Sequence, residues 1–184
     1  MSWEHPSDKQ QAEADFDAEY EARLAEAQRR AGGQGRNDVV DYLSVRAAND
    51  RLREAGVEWL MEVFAALAGA ANRAGASVTS SRTEAARFRV GNSTMVGPQL
   101  TLRLGVRALT VEAGWPRAPR DGIVRGGGLA CARVSHFGNT KAGEELLLVQ
   151  KGDADARWLI LEETGGRADF LAERARRHLD RLLG

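Results

Sequence analysis

Apolar residues recur with a helical period in the first part of the chain and with a period of two in the second. From Leu52 onward they return every three or four positions, which predicts a long amphipathic helix over about residues 38–74. Its predicted core face consists of Leu52, Trp59, Leu60, Val63, Leu67 and Ala71. Gly56 is a candidate interruption, because glycine costs about 1 kcal/mol relative to alanine inside a helix.

Beyond Gly75 the apolar positions alternate, which predicts short strands separated by turns. The alternation is found at residues 86–90, 100–104, 109–113, 129–137, 145–150 and 157–162, with a weaker pattern at 77–81. Gly97-Pro98 is interpreted as the turn before the second of these strands. Because the connections are too short for crossover helices, the sheet is predicted to be mostly antiparallel. Both sides of strand 129–137 are apolar, so its inward side stays open.

A last amphipathic helix is predicted over about residues 167–183. Its apolar side is formed by Leu171, Ala175, Leu179 and Leu182. The chain therefore has the pattern of an α+β fold: N-terminal helices that include one long core helix, then a mostly antiparallel meander sheet of five to six strands, then a C-terminal helix. The helices are expected to cover one face of the sheet.

An additional helix is predicted at the start of the chain, over about residues 8–31, between a Ser-x-x-Gln capping box and a Gly-Gly stop. Its apolar stripe consists of Phe16, Tyr20 and Leu24. Such a stripe is too narrow for the centre of a core, so this helix either lies on the surface of its own domain or forms a seam with a partner chain. We accordingly divide the chain into an acidic N-terminal helix with a Gly-rich linker, residues 1–33, and a single α+β domain, residues 34–184.

The composition narrows the class of protein. With 184 residues, of which 43% are hydrophobic and 28% charged, the chain has room for one compact domain with a sizeable core. The sequence begins without a secretory signal pattern, no apolar stretch approaches the ~20 residues of a membrane span, and the single cysteine, Cys131, has no internal disulfide partner. We therefore expect a cytoplasmic protein without a membrane partner. The preference for arginine over lysine is typical of a GC-rich bacterial genome.

The net charge of zero conceals two oppositely charged regions. Residues 1–31 contain eight acidic and four basic side chains, whereas residues 82–133 contain nine arginines and three acidic residues. If the apolar side of each strand faces the helices, then Arg87, Arg89 and Arg103 share the other side and form a basic sheet face. This face either is solvated, with cross-strand ion pairs, or receives the acidic groups of a partner.

The segment 115–128 is long for a loop between meander strands. It contains Arg117, Arg120, Arg125, Gly126, Gly127 and Gly128. Backbone N–H groups of a glycine-rich turn, together with arginines, can hold an anion. The segment lacks the Gly-Lys-Ser/Thr ending of a phosphate loop, and a predicted strand follows it where nucleotide-binding fingerprints require a helix. It is therefore either a structural loop over the sheet edge or a site for an anionic small molecule.

No arrangement of residues predicts catalysis with useful specificity. Cys131 and His136 are five positions apart in one predicted strand, so their side chains point to opposite faces and form no nucleophile–base pair. The three histidines are scattered, which predicts no metal site, and no cofactor is expected. Only His136, placed beside the 115–128 segment, is a candidate for acid–base chemistry or ligand binding.

These patterns favour a non-catalytic binding or assembly module. In the first hypothesis it associates with a protein partner or with itself, through the N-terminal helix and the basic sheet face or the Arg/Gly-rich segment. In the alternative it is a small enzyme or a receptor for an anionic small molecule bound at 115–128 near His136. Nucleic-acid binding on the basic face is less favoured, because the net charge is zero, lysine is scarce and the face offers no aromatic residues for stacking.

Overall fold

The computed structural model describes most of the chain from residue 37 onward. The described residues are Arg23, Glu26 and Arg29, which are helical, and the ranges 37–152, 155–162 and 165–184. Outside them lie the rest of the predicted helix 8–31, the stripe of Phe16, Tyr20 and Leu24, and the predicted domain boundary at residue 33. The chain divides into two compact units, residues 1–50 and 51–184. The sheet and the C-terminal helix belong to the second unit.

One long helix, seven strands and one shorter helix follow one another along the described chain. They are α1 (Asn37–Arg73), β1 (Thr79–Val90), β2 (Ser93–Leu104), β3 (Arg107–Gly114), β4 (Ala130–His136), β5 (Asn139–Lys151), β6 (Asp155–Leu161), β7 (Arg167–Asp169) and α2 (Ala172–Leu183). Each strand pairs antiparallel with its neighbours in sequence, in the order β1 to β7. This confirms the α+β prediction of a long helix, an antiparallel meander and a C-terminal helix, with seven strands in place of five to six. No helix among the described residues is long and apolar enough to cross a membrane.

The differences in strand number and helix length have local causes. The patterns at 77–81 and 86–90 belong to one strand, β1, and β2 begins at Ser93, ahead of its predicted start. Residues 167–169 form β7 instead of the first turn of the last helix, so α2 starts later than predicted. Leu171 consequently precedes the helix in an extended conformation and is 59% exposed, whereas the helical pattern placed it in the core.

α1 continues through Gly56 without interruption. The glycine lies where the helix packs closely against the sheet. A Cβ on Gly56 would lie 2.7 Å from a Cδ atom of Leu148 in β5, a leucine with no exposed surface. The Gly56 carbonyl also accepts a 2.8 Å hydrogen bond from the indole N–H of Trp158 in β6. The glycine allows α1 to lie close to the sheet, which offsets its low helix propensity.

The core face of α1 is rotated relative to its predicted position. Its buried residues in the second unit are Val57, Leu60, Met61, Phe64 and Ala68. Trp59, predicted to be in the core, is 38% exposed. Partly buried at the edge of the core are Leu52, Val63, Leu67 and Ala71. Apolar residues occur on several sides of this helix. Their period therefore predicts a helix but does not identify which side is buried most deeply.

Pro98 interrupts the hydrogen bonding between strands within the sheet instead of forming the predicted turn. Gly97 and Pro98 lie inside β2, and the turn falls earlier, between β1 and β2. Pro98 has no N–H to donate to either neighbouring strand. Opposite it, β1 bulges between Thr83 and Ala86, and the regular β2–β3 ladder ends at the same level.

The bulge exchanges the two sides of β1. In β2, Leu102 faces the helices and Arg103 faces away from them. Beyond the bulge Arg87 pairs with Val96, which lies on the same side of β2 as Leu102. Arg87 and Arg89 therefore lie on the side opposite Arg103, and the predicted basic face of these three arginines is wrong. One extra residue in a strand moves every later side chain to the other face.

Apolar residues are buried on both faces of the sheet. The larger core lies against the helices, and a smaller cluster on the other face consists of Phe88, Met95, Cys131 and Leu147. In β4, Ala132 and Val134 belong to the larger core and Cys131 to the smaller cluster. Both sides of this strand are thus buried, which is why alternation alone left its inward side open.

Candidate functional site

β4 separates the two parts of the predicted anion site. The strand begins at Ala130, directly after the 115–128 segment, and ends at His136. At about 3.3 Å per residue, the length of this strand places His136 about 20 Å from the segment. The prediction that His136 lies beside the 115–128 segment is therefore wrong, because an extended strand carries the chain from one end of the sheet to the other.

Contacts with neighbouring residues hold the 115–128 segment in place. The Arg117 guanidinium lies 3.9 Å from the ring centre of Trp115, a cation–π contact. Asp121 is buried and accepts a 2.8 Å hydrogen bond from Arg87. These contacts are those of a structural loop that closes one end of the sheet.

The remaining arginine and glycine positions of this segment serve turns and packing. The Arg125 guanidinium lies beside Gly91, where an added Cβ would meet it at 3.4 Å. Gly126 and Gly127 have φ angles of 70° and 71°, a conformation that favours glycine. A Cβ on Gly128 would lie 2.3 Å from a leucine side chain of β5. Arg117 and Arg125 thus have different neighbours and do not converge on one anion site.

A cleft of about 260 Å³ opens at the other end of the sheet. The β2–β3 and β4–β5 turns lie side by side there, since the backbone N–H of Phe137 donates a 2.9 Å hydrogen bond to the carbonyl of Ala108. We call this feature the hairpin-tip cleft; it is lined by Arg103, Val106, Ala108, Thr110, Ser135, His136 and Phe137. Antiparallel pairing of β2, β3 and β4 thus brings together residues that are more than 30 positions apart in sequence.

The hairpin-tip cleft combines one cation, two hydroxyl groups and exposed apolar surface. No carboxylate among the described residues pairs with Arg103. Val106 is 90% exposed and Phe137 is 80% exposed. Two large exposed apolar side chains beside an unpaired guanidinium are more typical of a surface that binds a partner or ligand than of one that contacts only water.

A chain of polar side chains begins at His136 on the opposite face of the sheet from Arg103. His136 pairs with the core residue Leu109 and its ring therefore faces the helices. His136 Nε2 and His178 Nδ1 are 2.9 Å apart, and the two rings stack with their centres 5.2 Å apart. His178 Nε2 lies 3.2 Å from Glu144 Oε2. Glu144 Oε1 accepts a 2.8 Å hydrogen bond from Arg174 Nε. These four residues, which we call the polar chain, connect β4, β5 and α2.

His178 is the most deeply buried member of the polar chain. It is 2% exposed, and its ring centre lies 6.3 Å from those of Phe64 and Phe170. Although His178 Nε2 and Glu144 Oε2 are 3.2 Å apart, neither atom has an aligned hydrogen-bond partner among the described residues. Their interaction is therefore electrostatic, at a position where an unpaired polar group is expensive.

The pattern of the sequence contains two signs of the polar chain. His178 occupies the apolar stripe of α2, three positions after Ala175 and directly before Leu179, where a buried polar residue calls for a partner. Glu144 has a comparable sign. It continues the alternation of the buried Leu146 and Leu148 along β5, which places a carboxylate on the core side of the strand.

Burial and charge determine the protonation of the polar chain. Burial lowers the pKa of His136 to about 4, assisted by His178 and Arg181. Burial acts to raise the pKa of Glu144, but His178 and the Arg174 guanidinium outweigh it and hold this pKa at about 2. At neutral pH, His136 is therefore uncharged and Glu144 is ionised.

Other reactive groups among the described residues have structural surroundings. Burial raises the pKa of the Cys131 thiol to about 11, so the thiol stays protonated. Arg133 pairs with Glu112 at 2.6 Å on the sheet face that points away from the helices. Within the described ranges, no group of three or more His, Cys, Asp or Glu residues could hold a metal ion.

The geometry of the cleft is the basis for a functional proposal, since no family model, no curated protein and no solved structure matches this chain.

Proposed function

We propose that the protein is a non-catalytic binding module that holds an anionic ligand in the hairpin-tip cleft. The proposal rests on Arg103, which has no carboxylate partner among the described residues and shares the cleft with Thr110 and Ser135. Guanidinium and hydroxyl groups donate hydrogen bonds to anionic oxygens. This site replaces the one predicted at 115–128, which lies at the other end of β4.

Binding is favoured over catalysis because the titratable groups are poorly matched to proton transfer at neutral pH. An efficient general base has a pKa near the working pH, whereas the pKa of His136 is about 4. The Cys131 thiol, with a pKa of about 11, does not supply a thiolate. Both groups suit structural or ligand-holding roles.

Replacing Arg103 with glutamine is expected to weaken anion binding about tenfold or more, since a hydrogen bond to a charged group contributes about 1.5–3 kcal/mol. The full chain is titrated with inorganic phosphate and, separately, with sulfate at constant ionic strength. The amide chemical shifts of Thr110 and Ser135 report occupancy of the cleft.

Arg120→Gln is the matched control for this experiment. Arg120 is exposed on the 115–128 segment, at the far end of the sheet, and the substitution removes the same charge. Its affinity for either anion should equal that of the wild-type chain. The proposal fails if neither anion moves the cleft amides, or if Arg120→Gln weakens binding as much as Arg103→Gln does.

Self-association is a second candidate function, favoured by the exposure of Val106 and Phe137. These side chains are 90% and 80% exposed at neighbouring turns, beside Arg103. In residues 1–31 the acidic side chains outnumber the basic ones by four, so this segment is complementary in charge to the cleft. We propose residues 1–31 of a second copy as the occupant.

The double variant Val106→Ser, Phe137→Ser is expected to be monomeric at concentrations at which the wild-type chain forms dimers, because it removes the apolar part of the interface. Molar mass is measured by light scattering after size-exclusion chromatography. Ile123→Ser is the control, since Ile123 is 74% exposed but belongs to the 115–128 segment. A monomeric wild-type chain, or an equal loss of mass in Ile123→Ser, would rule out this interface.

A further inference from the structure

Two neighbouring turns at one end of the sheet each carry one large apolar side chain. Val106 belongs to the two-residue turn between β2 and β3, and Phe137 to the two-residue turn between β4 and β5. The hydrogen bond from the Phe137 N–H to the Ala108 carbonyl holds the two turns together. Both apolar side chains are largely exposed. Exposed apolar side chains that cluster in this way mark a surface for a protein partner or for a membrane.

Arginines flank these turns on both faces of the sheet. Arg103 pairs with Ala108 and lies on the face that points away from the helices. Arg107 pairs with Leu104, whose side chain packs on the core against the helices. The Arg107 guanidinium donates a 3.4 Å hydrogen bond to the carbonyl of Leu182 at the end of α2. The same hairpin thus carries one arginine on each side of its turn.

Two further cations extend this positive charge. Besides burial and His178, the charge of Arg181 lowers the pKa of His136, which places this arginine beside the end of β4. Lys141 is exposed near the start of β5. Asp180 adds one negative charge next to Arg181 in sequence. We call the four cations the basic rim: Arg103, Arg107, Lys141 and Arg181. No carboxylate among the described residues forms an ion pair with any of them.

We propose that this end of the sheet docks on the surface of a bilayer that contains anionic phospholipid. Val106 and Phe137 insert among the headgroups, the basic rim lies at the level of the phosphates, and the hairpin-tip cleft holds the phosphate of one headgroup. Apolar burial and attraction to anionic lipid together determine the strength of such a contact. This inference rests on the proposed function of the cleft as an anion site and names the source of the anion.

A planar surface accounts for features that a small soluble anion leaves without a role. An anion in the cleft contacts only the face that carries Arg103, whereas a bilayer laid across the two turns meets Arg107 on the other face as well. It also covers the apolar side chains of both turns. A contact of this kind needs no membrane-spanning segment. It therefore differs from the membrane partner excluded by the sequence pattern, since that expectation rested on the lack of such a segment.

The first test measures co-sedimentation of the wild-type full chain with vesicles. One set consists of phosphatidylcholine alone, and in the other about one-third of the lipid is phosphatidylglycerol. The chain is expected to bind the anionic vesicles at least about tenfold more tightly, and added salt should weaken this binding. Equal affinity for both sets, or binding to neither, would overturn the inference. The titration with inorganic phosphate decides separately whether the cleft is an anion site, so the proposed function can stand when vesicle binding fails.

The second test removes single charges. Arg107→Gln is expected to lose about fivefold in affinity for the anionic vesicles, the contribution of one cation near an anionic surface, while glutamine can still donate to the Leu182 carbonyl. Arg103→Gln should lose more, because it also removes a hydrogen-bond donor to the headgroup phosphate. Arg120→Gln makes the same change of charge at the other end of the sheet and should bind like the wild-type chain. Equal losses in all three variants would show a dependence on net charge alone and would overturn the inference.

The third test removes the apolar side chains of the turns. The double variant Val106→Ser, Phe137→Ser is expected to bind the anionic vesicles at least about tenfold more weakly, whereas Ile123→Ser should retain the wild-type affinity. A double variant that binds as tightly as the wild-type chain would overturn the inference. Light scattering identifies the other occupant of these turns. A wild-type dimer that the double variant no longer forms would mean that a second copy of the chain covers them, and the inference would then fail.

Discussion

Replacing Gly97 with alanine is expected to lower the free energy of unfolding by about 3 kcal/mol. A Cβ on Gly97 would lie 2.2 Å from the carbonyl oxygen of Ala113 in β3, and a Cβ on Gly114 would lie 2.3 Å from the carbonyl oxygen of Val96 in β2. The atoms in the way belong to the backbone in the middle of the sheet, so the clash is relieved only by moving β2 and β3 apart. Urea unfolding followed by circular dichroism measures the loss.

Gly69→Ala in α1 provides the comparison. The nearest atom to a Cβ on Gly69 is a guanidinium nitrogen of Arg73 at 3.6 Å, an ordinary contact. Alanine there improves helix propensity without a clash, so this variant is expected to gain up to about 1 kcal/mol. A Gly97→Ala chain as stable as the wild type would contradict the close approach of β2 and β3.

The order of elements could be predicted from the sequence because each element is long and regular. Leu100, Leu102 and Leu104 alternate with polar residues along β2; the first two are buried in the core against the helices and Leu104 packs at its edge. Pro98 marks the limit of this reasoning. The sequence shows a Gly-Pro pair typical of a turn, but the neighbouring strands accommodate it inside the sheet by a bulge, which depends on their pairing. The sides occupied by Arg87 and Arg103 could not be predicted for that reason.

The candidate site could be predicted only in part. The sequence places Arg103 on a sheet face and His136 beside a loop, and neither pattern indicates the hairpin-tip cleft. The cleft depends on the register of β2, β3 and β4, which puts Arg103, Thr110 and Ser135 on one face of the sheet and the His136 ring on the other. The pairing of Glu144 with Arg174 and His178 depends on the position of α2 against the sheet, because these partners lie 30 positions or more away in sequence.

Burying the polar chain has a free-energy cost that an apolar cluster at the same place would avoid. His178 is enclosed by aromatic rings, and the two atoms that face each other, His178 Nε2 and Glu144 Oε2, lack aligned partners among the described residues. Buried charged groups are tolerated when each has a compensating partner, which makes Glu144 the residue on which the stability of the whole polar chain depends.

Replacing Glu144 with alanine is therefore expected to lower the free energy of unfolding at pH 7 by about 3 kcal/mol. The substitution leaves His178 buried without its carboxylate and removes the hydrogen-bond acceptor of Arg174. Glu145→Ala, at an exposed position of the same strand, should cost much less. Urea unfolding at a series of pH values measures both variants. Equal stability of the two variants would contradict the prediction that Glu144 stabilises the fold through the polar chain.

The dependence of this loss on pH identifies its cause. Because the pKa of Glu144 falls from 4.5 to about 2 on folding, its ionisation stabilises the folded state above pH 4.5, and this contribution is lost as the pH falls towards 2. The difference in stability between the wild-type chain and Glu144→Ala should therefore be constant near neutral pH and shrink between pH 4.5 and 2. A difference that stays the same across this range would mean that the side chain acts through packing alone.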